Sequence, residues 1–96
     1  MIVYVDGEPR DIYTYTEIHR VIKIGRVHRI GGPAVIWPHG AKEWRVNGKL
    51  HREDGPAVDF GDGRNEWYLN GERYTFNEFL TKLPVEDAIM VKLTWG

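Results

Sequence analysis

The spacing of apolar and polar residues predicts a chain built mostly of short β-strands. Two segments share one order: a short apolar run, a four-residue break that contains Gly, and a second run. The three parts span 34–37, 38–41 and 42–46 in the first segment, and 57–60, 61–64 and 65–69 in the second. Strand, Gly-containing break and strand predict a β-hairpin. Each hairpin ends at Asn47-Gly48 or Asn70-Gly71, and this dipeptide suits the positive φ angles of a tight turn.

Strand alternation predicts that each hairpin has one apolar face and one mixed face. The apolar face is expected to form the core and comprises Val35, Trp37, Trp44 and Val46 with Val58, Phe60, Trp67 and Leu69. The mixed face comprises Ala34, Ile36, Glu43 and Arg45 with Ala57, Asp59, Glu66 and Tyr68. We therefore expect the mixed face to be exposed or to contact a partner.

The two hairpin segments are copies of one another. A shift of 23 residues places 28–50 over 51–73 with 11 identities in 23 positions. The identical pairs are His28/His51, Arg29/Arg52, Gly32/Gly55, Pro33/Pro56, Ala34/Ala57, Val35/Val58, Gly40/Gly63, Glu43/Glu66, Trp44/Trp67, Asn47/Asn70 and Gly48/Gly71. A repeat of this length predicts stacked supersecondary units.

The segments before the repeats predict further strands and a cap. Residues 1–20 are rich in β-branched and aromatic residues, and the Asp6-Gly7 pair interrupts them, so we expect N-terminal strands there. The aromatic residues of these strands, Tyr4, Tyr13 and Tyr15, are expected to lie in the core, with a stacking platform as the alternative. Segment 21–27 keeps only the turn glycine and a following hydrophobic residue, so it is interpreted as a degenerate half-repeat that caps the array.

The segment after the repeats predicts a helix. Thr75 and Glu78 have the spacing of a capping box, and Pro84 ends the run. Phe76, Phe79, Leu80 and Leu83 then form one apolar stripe, which predicts a short amphipathic helix over 75–83. The tail, 84–96, fits a helix, a strand, or one followed by the other.

The repeat motif resembles MORN-like repeats, which occur in antitoxin-like bacterial proteins and in small phage proteins. The resemblance lies in G-K-L-H-R-E-D-G-P-A-V at 48–58 and in E-W-x-x-N-G at 43–48 and 66–71, and it covers about residues 21 to 75. It implies hairpins stacked into a small twisted sheet, so we expect a single, mainly β domain over 1–96 with a short C-terminal helix. Such repeats serve as scaffolds and binding platforms, and the fold alone does not define an activity.

Composition narrows the classes of function. The chain has no cysteine, which excludes thiol catalysis and Cys-ligated zinc and favours a reducing, cytoplasmic location. Thirteen Lys and Arg against fourteen Asp and Glu argue against a general nucleic-acid binder. No apolar run is long enough to span a membrane, and the early Asp6-Gly7 pair argues against a signal peptide. We expect a cytoplasmic protein, in the host cytoplasm if a phage encodes it.

Two repeated pairs, His28-Arg29 and His51-Arg52, are the first candidate site, because imidazole and guanidinium groups can bind a phosphate or a carboxylate. Identity in both copies favours a structural role within the repeat. Arg45 and Tyr68 occupy equivalent positions but differ, so they are the better candidates for a specific function. An arginine beside an aromatic ring suits a nucleobase with its phosphates or a protein hot spot, with Arg29 and Arg52 at the edge.

These residues favour a non-enzymatic binding protein that neutralises a host component, and the resemblance to small phage proteins implies that a phage encodes it. It would sequester a small anionic, nucleotide-type signalling molecule between protomers or mask a host protein. Open strand edges predict a homodimer or a larger symmetric oligomer. The alternatives are an antitoxin-like interaction module, a purely structural repeat, and a small phosphodiesterase or nuclease that uses His28 and His51. No residue spacing indicates a metal site, and no cofactor is expected.

Overall fold

The computed structural model describes residues 1–96 and contains nine strands and three helices. The elements are β1 (Ile2–Val5), β2 (Glu8–Asp11), α1 (Tyr15–Lys23), β3 (Val35–Ile36), β4 (Lys42–Glu43), β5 (Arg45–Val46), β6 (Lys49–Leu50), β7 (Val58–Asp59), β8 (Asn65–Leu69), β9 (Glu72–Tyr74), α2 (Phe76–Thr81) and α3 (Val85–Trp95). Seven strands form an antiparallel sheet in the order β2-β1-β3-β4-β7-β8-β9, and β5 pairs with β6 alone. The mainly β class that the sequence predicts is confirmed.

Three hairpins turn on a dipeptide in which both residues have positive φ, as a type I′ turn requires. The φ angles are 52° and 85° at Asp6-Gly7, 52° and 81° at Asn47-Gly48, and 51° and 83° at Asn70-Gly71. Asp and Asn tolerate the left-handed region better than most residues, and Gly enters it without steric cost. The tight turns predicted at the two Asn-Gly pairs are therefore confirmed.

The N-terminal region contains a helix where the sequence predicted strands. The N-terminal strands end at Asp11, and α1 covers 15–23. The sequence predicted a strand over the first part of this range and the start of the half-repeat at 21–27 over the rest. The Thr14 hydroxyl accepts a hydrogen bond from the Glu17 amide at 3.2 Å and caps the helix. Ile18 and Val21 are buried, one helical turn apart. The prediction of strands over 15–20 is wrong, because burial of this face overrides β-propensity.

The strand register corrects the predicted faces of the hairpins. Glu43 pairs with Val35 on one side and Val58 on the other, and Val58 pairs with Glu66. Directly opposed residues share a face, so Val35, Glu43, Val58 and Glu66 define what we call the glutamate face. Strand alternation then places Tyr4, Trp44 and Trp67 on the opposite side, the tryptophan face. The prediction of an all-apolar face is wrong, because alternation within one strand does not fix the register of its pairing with the next strand across a turn.

The burial of small residues follows from the same register. Ala34 and Ala57 are fully buried, although the sequence placed them on the exposed face. Val35, Val58 and Trp67 are buried as predicted. The other five residues of the predicted core are only half-buried, namely Trp37, Trp44, Val46, Phe60 and Leu69.

Two hydrophobic clusters lie at opposite ends of the sheet and on opposite faces. The first comprises Val3, Val5, Ile12, Ile18, Val21, Val27, Ala34 and Val35 and joins α1 to β1 and β3. The second comprises Trp67, Phe79 and Val91 and joins β8 to α2 and α3. Helix α1 therefore covers the glutamate face near β1, whereas α2 and α3 cover the tryptophan face near β8. The half of the glutamate face near β8 and the half of the tryptophan face near β1 are therefore not covered by a helix.

After β9 the C-terminal segment forms two helices, α2 and α3. The predicted capping box is present, because the Thr75 hydroxyl accepts from the Glu78 amide at 3.2 Å and the Thr75 amide donates to Glu78 Oε1 at 2.9 Å. The helix predicted over 75–83 is α2, and the tail left open by the sequence is the helix α3. None of the three helices combines the length and apolar character needed to cross a bilayer.

Candidate functional site

The repeated histidines bind the Asn-Gly turns. His28 Nδ1 accepts a hydrogen bond from the Asn47 amide at 3.0 Å, and His51 Nδ1 accepts one from the Asn70 amide at the same distance. Each imidazole therefore pairs with one backbone N–H of the turn that closes its own hairpin copy. The two histidines bind different turns and do not form a joint site.

The repeated arginines form a second set of contacts that is the same in both copies. Arg29 Nη1 donates to the Pro33 carbonyl, and Arg52 Nη1 donates to the Pro56 carbonyl, both at 3.2 Å. The Arg29 guanidinium carbon lies 4.1 Å from the centroid of the Tyr4 ring, and that of Arg52 lies 3.9 Å from the Trp44 ring. Each arginine thereby stacks on an aromatic residue that precedes its copy in the chain.

The glycine of the motif makes room for the arginine. A Cβ added at Gly32 would lie 2.7 Å from the Arg29 guanidinium carbon, and one at Gly55 would lie 2.6 Å from that of Arg52. Both distances are well inside van der Waals contact, so a side chain here would displace the guanidinium. The shared H-R-x-x-G-P motif is thus explained by one arrangement of imidazole, guanidinium, glycine and proline carbonyl.

A cavity of about 530 Å³ lies between the two copies on the tryptophan face. It is lined by Arg29, Trp44, His51 and Arg52, together with the loop 30–33 and the acidic residues Glu53 and Asp54. The cavity brings together three of the residues proposed from the sequence, namely Arg29, His51 and Arg52. His28, which was also proposed, does not line it.

Arg45 and Tyr68 lie on the glutamate face and are held by carboxylates. Arg45 Nε donates to Glu43 Oε1 at 2.8 Å, and the two side chains are only 16% and 15% exposed. The Tyr68 hydroxyl donates to Glu66 Oε1 at 3.1 Å, and Arg73 lies 3.5 Å from the same carboxylate. Burial, followed by this hydrogen bond, raises the pKa of the Tyr68 phenol above its ordinary value.

The sequence placed Arg29 and Arg52 at the edge of the surface that carries Arg45 and Tyr68, and the structure contradicts this. The guanidinium groups of Arg29 and Arg52 stack on rings of the tryptophan face, whereas Arg45 and Tyr68 bind the glutamates of the other face. The four residues therefore belong to two surfaces, because Arg29 and Arg52 stack on Tyr4 and Trp44 and do not reach the glutamate face.

An aromatic groove on the glutamate face was missed by sequence reasoning. It has a volume of about 260 Å³ and is lined by Tyr15, Trp37, His39, Ala41, Glu43, Val58 and Phe60. The Tyr15 and Trp37 ring centroids are 6.2 Å apart. Tyr15 is 70% exposed and Tyr13 is 84% exposed, so the prediction that both lie in the core is wrong. Thr14 and Glu17 have capping spacing, and this signal would have placed Tyr15 at the start of a helix beside the sheet.

The remaining ionisable groups show no constellation for metal binding. No group of three or more His, Asp and Glu side chains is close enough to hold a metal ion. Comparison of the chain with family models, with curated proteins and with solved structures gave no match. The features that bear on function are therefore the cavity on the tryptophan face and the side chains of the glutamate face.

Proposed function

We propose that this protein is a non-enzymatic binding protein, a MORN-like hairpin scaffold encoded by a phage, which neutralises a host component. In this proposal it masks a host protein with the uncovered half of the glutamate face. The observation that carries the proposal is the composition of that half: aromatic rings lie beside guanidinium and carboxylate groups that are already paired. The residues concerned are Trp37, Glu43, Arg45, Phe60, Glu66, Tyr68 and Arg73.

The pairing of these groups favours docking of a protein. Glu43 holds the Arg45 guanidinium with one oxygen and accepts from the Trp37 indole N–H at 2.9 Å with the other. Side chains held in this way lose little conformational entropy when a partner binds. Tyr, Trp and Arg are also the residue types that contribute most to binding energy at protein interfaces.

The second candidate function is sequestration of a small anionic, nucleotide-type molecule. It is supported by the cavity on the tryptophan face, where two guanidinium groups and the Trp44 ring line one space. Guanidinium groups and an aromatic ring are the chemistry that binds an anion attached to a planar group.

The histidine-dependent phosphodiesterase has weaker support. A general base needs an unprotonated ring nitrogen beside the substrate, but Nδ1 of both histidines accepts a backbone amide, which places the proton of a neutral imidazole on Nε2. His51 Nε2 lies 3.3 Å from Glu53. These contacts favour structural roles for His28 and His51 over catalysis.

We further propose a homodimer or a larger symmetric oligomer in the host cytoplasm. Strands β2 and β9 end the sheet, and each has a partner on one side only. Such edges can pair with another copy of the chain. Light scattering at micromolar concentration that gives the mass of a monomer would contradict this part of the proposal.

A charge-reversal pair tests the masking function. Arg73→Glu changes an exposed cation of the glutamate face, and Arg10→Glu makes the same change on β2 at the other end of the sheet. Tagged wild-type protein and both variants are expressed in host cells, and the co-purified proteins are identified by mass spectrometry. We expect wild type and Arg10→Glu to retain one common partner and Arg73→Glu to lose it. Retention by Arg73→Glu, with thermal stability unchanged, would exclude this face as the docking surface.

A further inference from the structure

The two copies of the His-Arg segment differ in the acidic residues beside the arginine and the histidine. In the second copy, Arg52 Nε donates to Asp54 Oδ1 at 2.9 Å, and His51 Nε2 lies 3.3 Å from Glu53. The equivalent positions in the first copy are Ile30 and Gly31, which carry no charge. Arg29 forms no salt bridge in the chain, and its single side-chain hydrogen bond is the one to the Pro33 carbonyl.

The Arg29 guanidinium nevertheless has the placement of its counterpart. Its bond to the proline carbonyl has the same length as that of Arg52, and its stacking distance on an aromatic ring differs by only 0.2 Å, 4.1 against 3.9 Å. The glycine beneath it is equally close. The guanidinium is therefore fixed in advance, and its Nε edge corresponds to the edge that binds Asp54 in the second copy.

The space beside Arg29 is open. A Cβ added at Gly31 would meet no atom within 4 Å, and Arg29, Gly31 and Gly32 all line the cavity between the copies. The amides of Gly31 and Gly32 donate no hydrogen bond within the chain. In the second copy the corresponding space is covered by Trp95, whose indole N–H donates to the Asp54 carbonyl at 3.3 Å.

We propose that Arg29 is the binding site for one carboxylate group of a ligand, which occupies the place that the Asp54 carboxylate has beside Arg52. The acidic residues Glu53 and Asp54 line the same cavity, and their charge disfavours an anion with several negative charges. A singly charged carboxylate matches both the group that Arg52 binds and this local charge. If the protein sequesters a small anionic molecule, as the second candidate function states, this site favours a carboxylate ligand over a nucleotide polyphosphate.

A carboxylate can come from a free small molecule or from an acidic side chain of a partner polypeptide. Two probes separate these sources: sodium acetate, and a short capped peptide with a single Asp. Each is titrated into the labelled full-length protein while the Nε–H signals of Arg29 and Arg52 are followed by NMR. Sodium chloride at equal ionic strength reports general screening.

We expect the Arg29 signal to shift and saturate with acetate and with the peptide, whereas the Arg52 signal stays in place because Asp54 already binds that arginine. An affinity about tenfold higher for the peptide assigns the site to an acidic side chain, and equal affinity assigns it to a free carboxylate. If both arginine signals shift in proportion to salt, and chloride acts like acetate, the site does not exist.

Two variants at Gly31 provide the matched test. Gly31→Asp supplies an internal carboxylate, and Gly31→Asn has nearly the same shape and the same unfavourable positive φ of 84°. We expect Gly31→Asp to weaken acetate binding about tenfold and Gly31→Asn to leave it unchanged. Equal weakening by both variants would overturn the proposal. The inference goes beyond masking by the opposite face, so its failure leaves the outcome of the Arg73→Glu experiment unaffected.

Discussion

Replacement of Gly55 by alanine tests the role assigned to the arginine of the repeat. The added Cβ would lie 2.6 Å from the Arg52 guanidinium carbon, so the guanidinium has to move. Movement would break the 3.2 Å bond to the Pro56 carbonyl and the 3.9 Å stacking on Trp44. A hydrogen bond from a charged donor contributes ~1.5–3 kcal/mol, and a half-buried cation–π contact adds ~0.5–2 kcal/mol.

A smaller opposing effect acts through the unfolded chain. Gly55 does not have a positive φ, so alanine suits its backbone and should stabilise the fold by ~0.4–1 kcal/mol. The ion pair with Asp54 contributes little, because that carboxylate is 87% exposed. The net expectation is that Gly55→Ala lowers the free energy of unfolding by ~1–4.6 kcal/mol, and each kcal/mol corresponds to roughly 4–8 °C in Tm for a domain of this size.

Urea denaturation of a double-mutant cycle measures this coupling. In an Arg52→Ala background the contacts are already absent, so Gly55→Ala should be neutral or stabilising by up to ~1 kcal/mol. The sign of the alanine effect therefore depends on Arg52. An equal loss of stability in both backgrounds would show that Gly55 is required for a reason other than the space it leaves for the guanidinium.

Three further changes test other parts of the fold. Asp6→Asn removes a carboxylate whose pKa the Arg26 hydrogen bond lowers, so the variant should lose less stability than wild type as pH falls below the ordinary value of 3.8, by the share that Asp6 contributes. If both proteins lose stability equally in acid, this pair is not responsible. Phe79→Ala should cost ~3–5 kcal/mol in urea denaturation because Phe79 is fully buried, whereas Leu93→Ala, 77% exposed, should change stability by no more than ~0.5 kcal/mol. A similar loss for both would contradict the burial described for the second cluster. Asn70→Ala places alanine at a φ of 51° and should lower Tm, whereas Asn70→Gly should not, and equal values would show that the turn is not strained.

Parts of this fold that depend on local chemistry could be predicted from the sequence. The Asn-Gly turns follow from the φ angles that these residues allow, and α2 follows from the spacing of Thr75 and Glu78. The face of each strand could not be predicted in the same way. Val35 and Trp44 have compatible alternation, but pairing of Val35 with Glu43 puts them on opposite sides of the sheet.

The candidate site residues could likewise be selected from the sequence, whereas their contact partners, which lie far away in the chain, could not. The sequence singled out Arg29, Arg52, His28 and His51, but it could not show that their partners are a proline carbonyl, a ring and a turn amide. The aromatic groove was missed because Tyr15 joins Trp37 only when 15–23 is a helix. The difference between Asp54 and Gly31 is visible in the sequence, but it acquires meaning only once Arg29 and Arg52 are known to have the same placement.

The position of β1 inside the sheet affects the order in which the chain can fold during synthesis. Its outer partner, β2, follows after a two-residue turn, but its inner partner is β3, and Ile2 pairs with Ile36. At ribosomal rates of ~5–20 residues per second, the inner edge of β1 stays unpaired for ~1–5 seconds after the first hairpin emerges. Helix α1 is made within that interval, and its residues Ile18 and Val21 belong to the same cluster as Val3 and Val5. This helix can therefore shield the apolar side of the nascent hairpin from aggregation until the partner strand leaves the ribosome.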